Sequence, residues 1–153
     1  MKMQTASSCI SFAKGLEEQS AKFYQGLAQR YAEGEDIFLS FAKENRKNVV
    51  QIQRAYYGVI TDAIEGCFAF DMESGEYEID TSLEDKASYA DALAKAIEIE
   101  EKMKRFYEDA AEQSKSLMAD VTRAFTFIAK KRDNRRSIVK SLRDKGMMHL
   151  SSN

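Results

Sequence analysis

A chain of 153 residues, 44% of them hydrophobic, is the size of one domain with a single core. It has no proline and only seven glycines, which favours long uninterrupted helices over sheet. The net charge of -2 at pH 7 gives no overall attraction to nucleic acid or to an anionic membrane. We therefore expect an all-α domain.

The sequence contains no recognisable targeting signal and no cysteine motif, which favours a cytoplasmic protein. No segment has the apolar run of a signal peptide or the apolar length of a membrane span. The two cysteines, Cys9 and Cys67, lack the spacing of a metal site or a redox motif. We expect reduced thiols, a cytoplasmic location and no membrane association.

The first helical hairpin is predicted over about residues 7–64. Its first helix begins near Ser7 or Ser8, whose hydroxyls can cap free backbone amides, and runs to about Tyr31, before a break at Gly34. Its second helix begins around Glu35 or Asp36, acidic residues suited to a helix N-terminus, and continues to the end of the hairpin.

A long crossover is predicted over about residues 65–82, which lack helical periodicity and contain a Ser74-Gly75 turn signal. The sequence of residues 77–79 is compatible with a short extended or hairpin-like segment. An up-down bundle would need only a short loop here, so this length suits a connection between two hairpins.

The second hairpin is predicted over about residues 83–145. Thr81 or Ser82 is the predicted N-cap of the third helix, which ends near Ser114. The fourth helix begins near Ser116 and ends by Lys145-Gly146. The bundle thus occupies residues 1–146, and residues 147–153 are expected to form a flexible tail.

The two hairpins repeat each other. Residues 16–24 return 83 positions later as residues 99–107, and each copy has a Glu followed seven residues on by a Tyr. These pairs are Glu17 with Tyr24 and Glu100 with Tyr107. The second helices repeat at a spacing of 87, where Phe38, Phe41, Ala42, Lys43 and Ile52 are echoed by Phe125, Ile128, Ala129, Lys130 and Val139.

This arrangement resembles the rubrerythrin and ferritin-like superfamily along nearly the whole chain. The resemblance implies a four-helix bundle of two hairpins with a long crossover between helices two and three. It also implies a di-iron centre, to which the first helix of each pair supplies one Glu and the second supplies Glu-x-x-His. Glu17 and Glu100 fall on the first-helix ligand positions, and Tyr24 and Tyr107 fall on the family's Phe-Tyr pair.

The remaining ligand positions depart from the family's pattern. The Glu-x-x-His positions hold Asn45 and Asn48 in the first half and Arg132 and Arg135 in the second, so four of the six expected ligands are missing. An arginine has no lone pair to donate and stays charged at any ordinary pH. We expect no cofactor.

Each Glu lies within an apolar helical stripe, and a buried carboxylate requires a cation or a hydrogen-bond network. We therefore hypothesise that Arg132 and Arg135 form an ion-pair network with Glu100. In the same hypothesis, Asn45 and Asn48 bond to Glu17 or to Tyr107.

The interpretation that fits these substitutions is a ferritin-like bundle, without catalysis, that binds a partner or has a structural role as a homodimer. One alternative is a rubrerythrin-like oxidoreductase that acts on peroxide or oxygen with iron held by an atypical ligand set. A related alternative is a single weakly held cation on Glu17, Glu100 and Glu44.

A further alternative uses the uneven distribution of charge. Residues 65–85 carry eight acidic and no basic side chains, whereas residues 130–145 carry eight basic side chains against Asp133 and Asp144. The basic fourth helix could hold an anionic partner through Lys130, Lys131, Arg136, Lys140, Arg143 and Lys145. Few aromatic residues are interleaved with these charges, so we do not expect nucleic acid as the partner.

Overall fold

The structure is a computed structural model that describes residues 1–59, 70–116 and 119–151. Within these ranges it is a bundle of four helices, which confirms the all-α prediction: α1 (Ala6–Arg30), α2 (Glu35–Val59), α3 (Tyr89–Ser114) and α4 (Ala119–Ser151). α1 packs along α2 and α3 packs along α4, and the two pairs meet where α2 contacts α4 and α1 contacts α3.

The first helix begins one residue earlier than the predicted serines. Thr5 is the N-cap of α1: its hydroxyl accepts from the Ser8 amide, and the Ser8 hydroxyl accepts from the Thr5 amide. Ser8 is therefore the third helical residue of a capping box rather than the cap itself. A single 3-10 turn, Ala32–Gly34, joins α1 to α2, and α2 begins at the predicted Glu35.

The prediction that Thr81 or Ser82 caps the third helix is wrong. The backbone amide and hydroxyl of Ser82 both donate to Asp80 Oδ1, so this serine closes a local turn. The cap is Ser88, which exchanges hydrogen bonds with Asp91 in a capping box. α3 then ends at Ser114, as predicted.

The predicted stop of the fourth helix at Lys145-Gly146 is also wrong, because the helical backbone of α4 continues through Gly146 to Ser151. A glycine inside a helix costs only about 1 kcal/mol relative to alanine, which is too little to end it. The predicted tail is thus helical as far as residue 151. At its other end, the described part of α4 begins at Ala119.

The described part of the connection between α2 and α3 is attached to the N-terminal residues and to α3. Met72–Glu73 pairs as a short antiparallel strand, β2, with Lys2–Met3 at the N-terminus, β1. The Tyr77 hydroxyl donates to Asp109 Oδ2 of α3 at 2.6 Å. Residues 77–79, where an extended piece was considered, form no strand. The predicted end of helix two, the start of the crossover and Cys67 lie outside the described residues.

The core fills the space between the helices with aromatic and aliphatic side chains. Phe106 is fully buried, and its ring centroid lies 5.3 Å from that of Phe12 and 5.5 Å from that of Tyr77. Cys9 is buried with a free thiol, and its burial raises the pKa of that thiol. Of the helices in the described ranges, none is sufficiently long and apolar to cross a bilayer.

Gly34, in the turn between α1 and α2, gives a test of this packing. A Cβ at Gly34 would lie 2.6 Å from the buried Phe38 ring and 2.8 Å from the Tyr89 hydroxyl, whereas a Cβ at Gly26 of α1 would meet nothing within 4 Å. We predict that Gly34→Ala lowers the free energy of unfolding by about 1–3 kcal/mol, since the ring must move. The matched control Gly26→Ala should raise it by about 0.5–1 kcal/mol. Urea denaturation measures both, and a stabilising Gly34→Ala would contradict the packing described.

Candidate functional site

The eight residues singled out from the sequence lie in one layer of the core, and each of the four described helices contributes two. None of the eight is more than 1% exposed. They are Glu17 and Tyr24 of α1, Asn45 and Asn48 of α2, Glu100 and Tyr107 of α3, and Arg132 and Arg135 of α4. The structure therefore brings all of them together.

Arg132 lies between the two carboxylates. Its Nη2 donates to Glu17 Oε2 at 2.6 Å, and its Nη1 donates to Glu100 Oε1 at 2.8 Å and to Glu100 Oε2 at 3.1 Å. The same Nη1 lies 3.2 Å from the Ser20 hydroxyl, which accepts from it. The sequence hypothesis paired Arg132 with Glu100, and the structure adds Glu17 as its second carboxylate.

Each tyrosine bonds to the carboxylate that lies in the other half of the chain. The Tyr24 hydroxyl donates to Glu100 Oε1 at 2.7 Å, and the Tyr107 hydroxyl donates to Glu17 Oε1 at 2.6 Å. Because Tyr24 and Glu17 repeat as Tyr107 and Glu100, the exchange is symmetric between the halves of the chain. Each carboxylate thus accepts from one tyrosine and from Arg132.

The two asparagines of α2 bond to Glu17, as hypothesised. Asn45 Nδ2 donates to the Glu17 backbone carbonyl at 2.9 Å, and Asn48 Nδ2 lies 3.5 Å from both Glu17 carboxylate oxygens. Lys131 Nζ donates to Asn48 Oδ1 at 3.3 Å, which fixes the orientation of that amide. Lys131, assigned from the sequence to an anion-binding face, therefore also supports the buried layer.

Arg135 connects the layer to the surface. Its Nη2 donates to the Phe41 backbone carbonyl at 2.7 Å, and its guanidinium lies over the Phe41 ring, 4.8 Å from the centroid. Glu100 Oε1 is 3.7 Å and Glu44 Oε2 is 3.8 Å from its nitrogens. The side chain of Glu44 is 32% exposed, so this carboxylate marks the outer end of the network.

The charges of the buried layer balance, with Glu17 and Glu100 against Arg132 and Arg135. Burial lowers the pKa of the Arg132 guanidinium, but Glu100 and Glu17 outweigh burial and hold this pKa above its ordinary value. Burial and the neighbouring Arg132 lower the pKa of Arg135. Arg132 is therefore a permanent cation at the centre of the layer.

Burial also raises the pKa values of the two tyrosines. For both Tyr24 and Tyr107, loss of hydration is the larger cause, and the negative charge of the bonded carboxylate adds to it. Both phenols consequently stay protonated in the folded protein well above their ordinary pKa near 10. They act as hydrogen-bond donors to Glu100 and Glu17.

This layer does not fit a di-iron centre. The superfamily would place metal between the first-helix carboxylates, where the Arg132 guanidinium donates to both Glu17 and Glu100. A guanidinium repels a metal cation and supplies no lone pair. Across the described ranges, no three His, Cys, Asp or Glu side chains form a group able to hold a metal ion. Glu44, considered as a third cation ligand, contacts Arg135 instead.

Many charges of the basic fourth helix are paired within the chain. Arg136 contacts Asp133 at 3.0 Å and Glu101 at 3.7 Å, and Lys140 contacts Glu101 at 4.0 Å. Arg143 lies 3.8 Å from Asp144. These ion pairs reduce the positive charge that this helix can offer to an anionic partner.

We predict that Arg132→Met lowers the free energy of unfolding by about 3–5 kcal/mol, because it leaves two carboxylates in the core without their shared cation. Arg136→Met, which removes two partly exposed ion pairs, is the matched control and should cost less than about 1 kcal/mol. Denaturant unfolding measures both. A loss for Arg132→Met as small as that of the control would contradict the buried network.

Stability should fall as pH rises above about 10, because Tyr24 and Tyr107 ionise in the unfolded chain before they ionise in the folded one. The unfolded state then binds fewer protons, so each tyrosine removes about 1.4 kcal/mol of stability per pH unit in this range. Urea unfolding at a series of alkaline pH values measures how steeply the free energy of unfolding falls with pH. This slope should be shallower for Tyr24→Phe/Tyr107→Phe. The control Tyr57→Phe, which replaces an exposed phenol, should keep the wild-type slope; equal slopes for all three proteins would refute the prediction.

Comparison of the chain with protein-family models, with curated proteins and with solved structures found no match. The resemblance to the ferritin-like superfamily therefore depends on the repeated Glu and Tyr positions and remains a proposal.

Proposed function

We propose that this chain is a ferritin-like bundle of two repeated hairpins in which an arginine-bridged ion-pair network replaces the di-iron centre. It acts as a binding or structural protein without catalysis. The observation that carries the proposal is that Arg132 donates to both Glu17 and Glu100 from a fully buried position. Together with Arg135, its fixed charge balances the two carboxylates that a metal would otherwise bridge.

The order of helix contacts supports the ferritin-like part of the proposal. In a simple up-down bundle, α2 and α3 are joined by a short loop and lie side by side. Here α2 lies against α1 and α4, and α3 lies against α4 and α1. This order of contacts supports a crossover between α2 and α3, and so does the length of the connection from Val59 to Tyr89.

The reciprocal bonds between hairpins support the structural part of the proposal. Tyr24 of the first hairpin binds Glu100 of the second, and Tyr107 of the second binds Glu17 of the first. Charge-assisted bonds of this kind are stronger than neutral ones. The network thus fixes how the hairpins pack, and it leaves neither carboxylate free for a catalytic metal. We expect the protein to act as a cytoplasmic homodimer.

Metal content tests this proposal. Protein expressed with added iron and manganese should contain only background metal by inductively coupled plasma mass spectrometry, because Arg132 occupies the position between the ligands. The control is Glu17→Ala/Glu100→Ala, which removes the only two family ligands that remain, and it should give the same background. About two metal ions per folded wild-type chain, lost in the control, would refute the proposal and favour the oxidoreductase alternative.

A further inference from the structure

The outward face of α2 carries a stripe of alternating basic and apolar side chains. At 100° per residue these positions fall within one sector of the helix, and at 1.5 Å per residue they extend over about 27 Å. The members of this α2 stripe are Leu39, Lys43, Arg46, Lys47, Val50, Arg54 and Tyr57.

Among the described residues, the positive charge of the α2 stripe has no acidic partner. Its four cations form no ion pair with any residue that the structure describes. Several cations of α3 and α4 differ in this respect, since Lys104 and Arg136, for example, both contact Asp133. The nearest acidic residue of α2, Glu44, is turned toward Arg135. An outside carboxylate can therefore reach the stripe without displacing an internal one.

The apolar members of the stripe are exposed. Leu39 is 47%, Val50 is 44% and Tyr57 is 67% exposed. Val50 lies in a shallow depression of about 480 Å³ lined by Arg46, Lys47, Val50, Gln51 and Arg54. An apolar side chain surrounded by free cations is the complement of an acidic surface that presents an apolar residue.

We propose that the α2 stripe docks an acidic amphipathic helix of another protein. Apolar side chains of that helix would cover Leu39, Val50 and Tyr57, and Asp or Glu side chains between them would pair with the four cations. Nucleic acid fits less well, because phosphate contacts use the cations and leave valine and leucine exposed. A bilayer also fits less well, because helices that lie on membranes present a continuous apolar face.

A second copy of this chain is a poorer occupant than a foreign helix. The chain's own acidic segment, residues 71–85, is attached along α3 by bonds such as that from Lys102 to the Glu78 carbonyl and that from Tyr77 to Asp109. α3 lies diagonally across the bundle from α2. If the acidic segment of one copy bound the stripe of the next, the copies would assemble head to tail. Such an assembly forms a closed ring only for particular rotations between neighbouring copies.

The experiment is selection of binders from a displayed random-peptide library on the whole protein. Parallel selections use Arg46→Glu/Arg54→Glu, and Lys86→Glu/Lys130→Glu as a control of equal charge change, because Lys86 and Lys130 are exposed and lie outside the stripe. An enriched peptide is then labelled, and its binding is measured by fluorescence anisotropy at several salt concentrations. A DNA duplex, an RNA strand and phosphatidylserine vesicles are tested in the same way.

The expected result is enrichment of peptides with Asp or Glu between apolar residues at helical spacing. Such a peptide should bind Arg46→Glu/Arg54→Glu at least about tenfold more weakly than wild type or the control, with weaker binding at high salt. No enrichment of this pattern, or equal binding to both variants, would overturn the proposal. The proposal would also be overturned if only nucleic acid or vesicles bound in a stripe-dependent way. A change in the oligomeric mass of Arg46→Glu/Arg54→Glu in the absence of peptide would overturn it as well. Metal content does not bear on this inference, since the stripe and the buried layer share no residue.

Discussion

The burial of two carboxylates on different helices, α1 and α3, is the constraint on which this structure depends. Removing one ion from water costs several kcal/mol even after the protein relaxes, and Glu17 and Glu100 are both fully buried. Arg132 satisfies both with one planar guanidinium, whose two Nη atoms reach separate carboxylates. The helices that carry these three residues must therefore keep their spacing and register.

The two halves of the chain differ in a complementary way around this constraint. The first helices keep the same Glu and Tyr, so the bonds between Tyr24 and Glu100 and between Tyr107 and Glu17 remain symmetric. The second helices differ, since α4 supplies both cations and α2 supplies amides from Asn45 and Asn48. One arginine from each half would also have balanced the charge. Because both arginines lie on α4, Arg135 is 3.7 Å from Glu100 and also contacts Glu44 at the outer end of the network.

The residues of the site could be predicted from the sequence. The repeat aligns the two halves, and Glu17 and Arg132 stand out because they are charged residues on apolar helical stripes. The sequence could not give the partner of each group, since helix rotation and side-chain reach decide whether Arg132 touches one carboxylate or two. It also gave no sign that Ser20 accepts a bond from Arg132, although Ser20 lies on the stripe of Glu17. The start of α3 was misplaced because Ser82 and Ser88 both precede an Asp at capping distance, and only tertiary structure distinguishes them.

The measurement that tests this account most directly is an anomalous X-ray diffraction map of crystals soaked in ferrous or manganous salt, with data collected near the metal's absorption edge. The account predicts no anomalous peak between Glu17 and Glu100, and electron density there for the Arg132 guanidinium in contact with both carboxylates. An anomalous peak bound by Glu17 and Glu100, with Arg132 turned away, would contradict it.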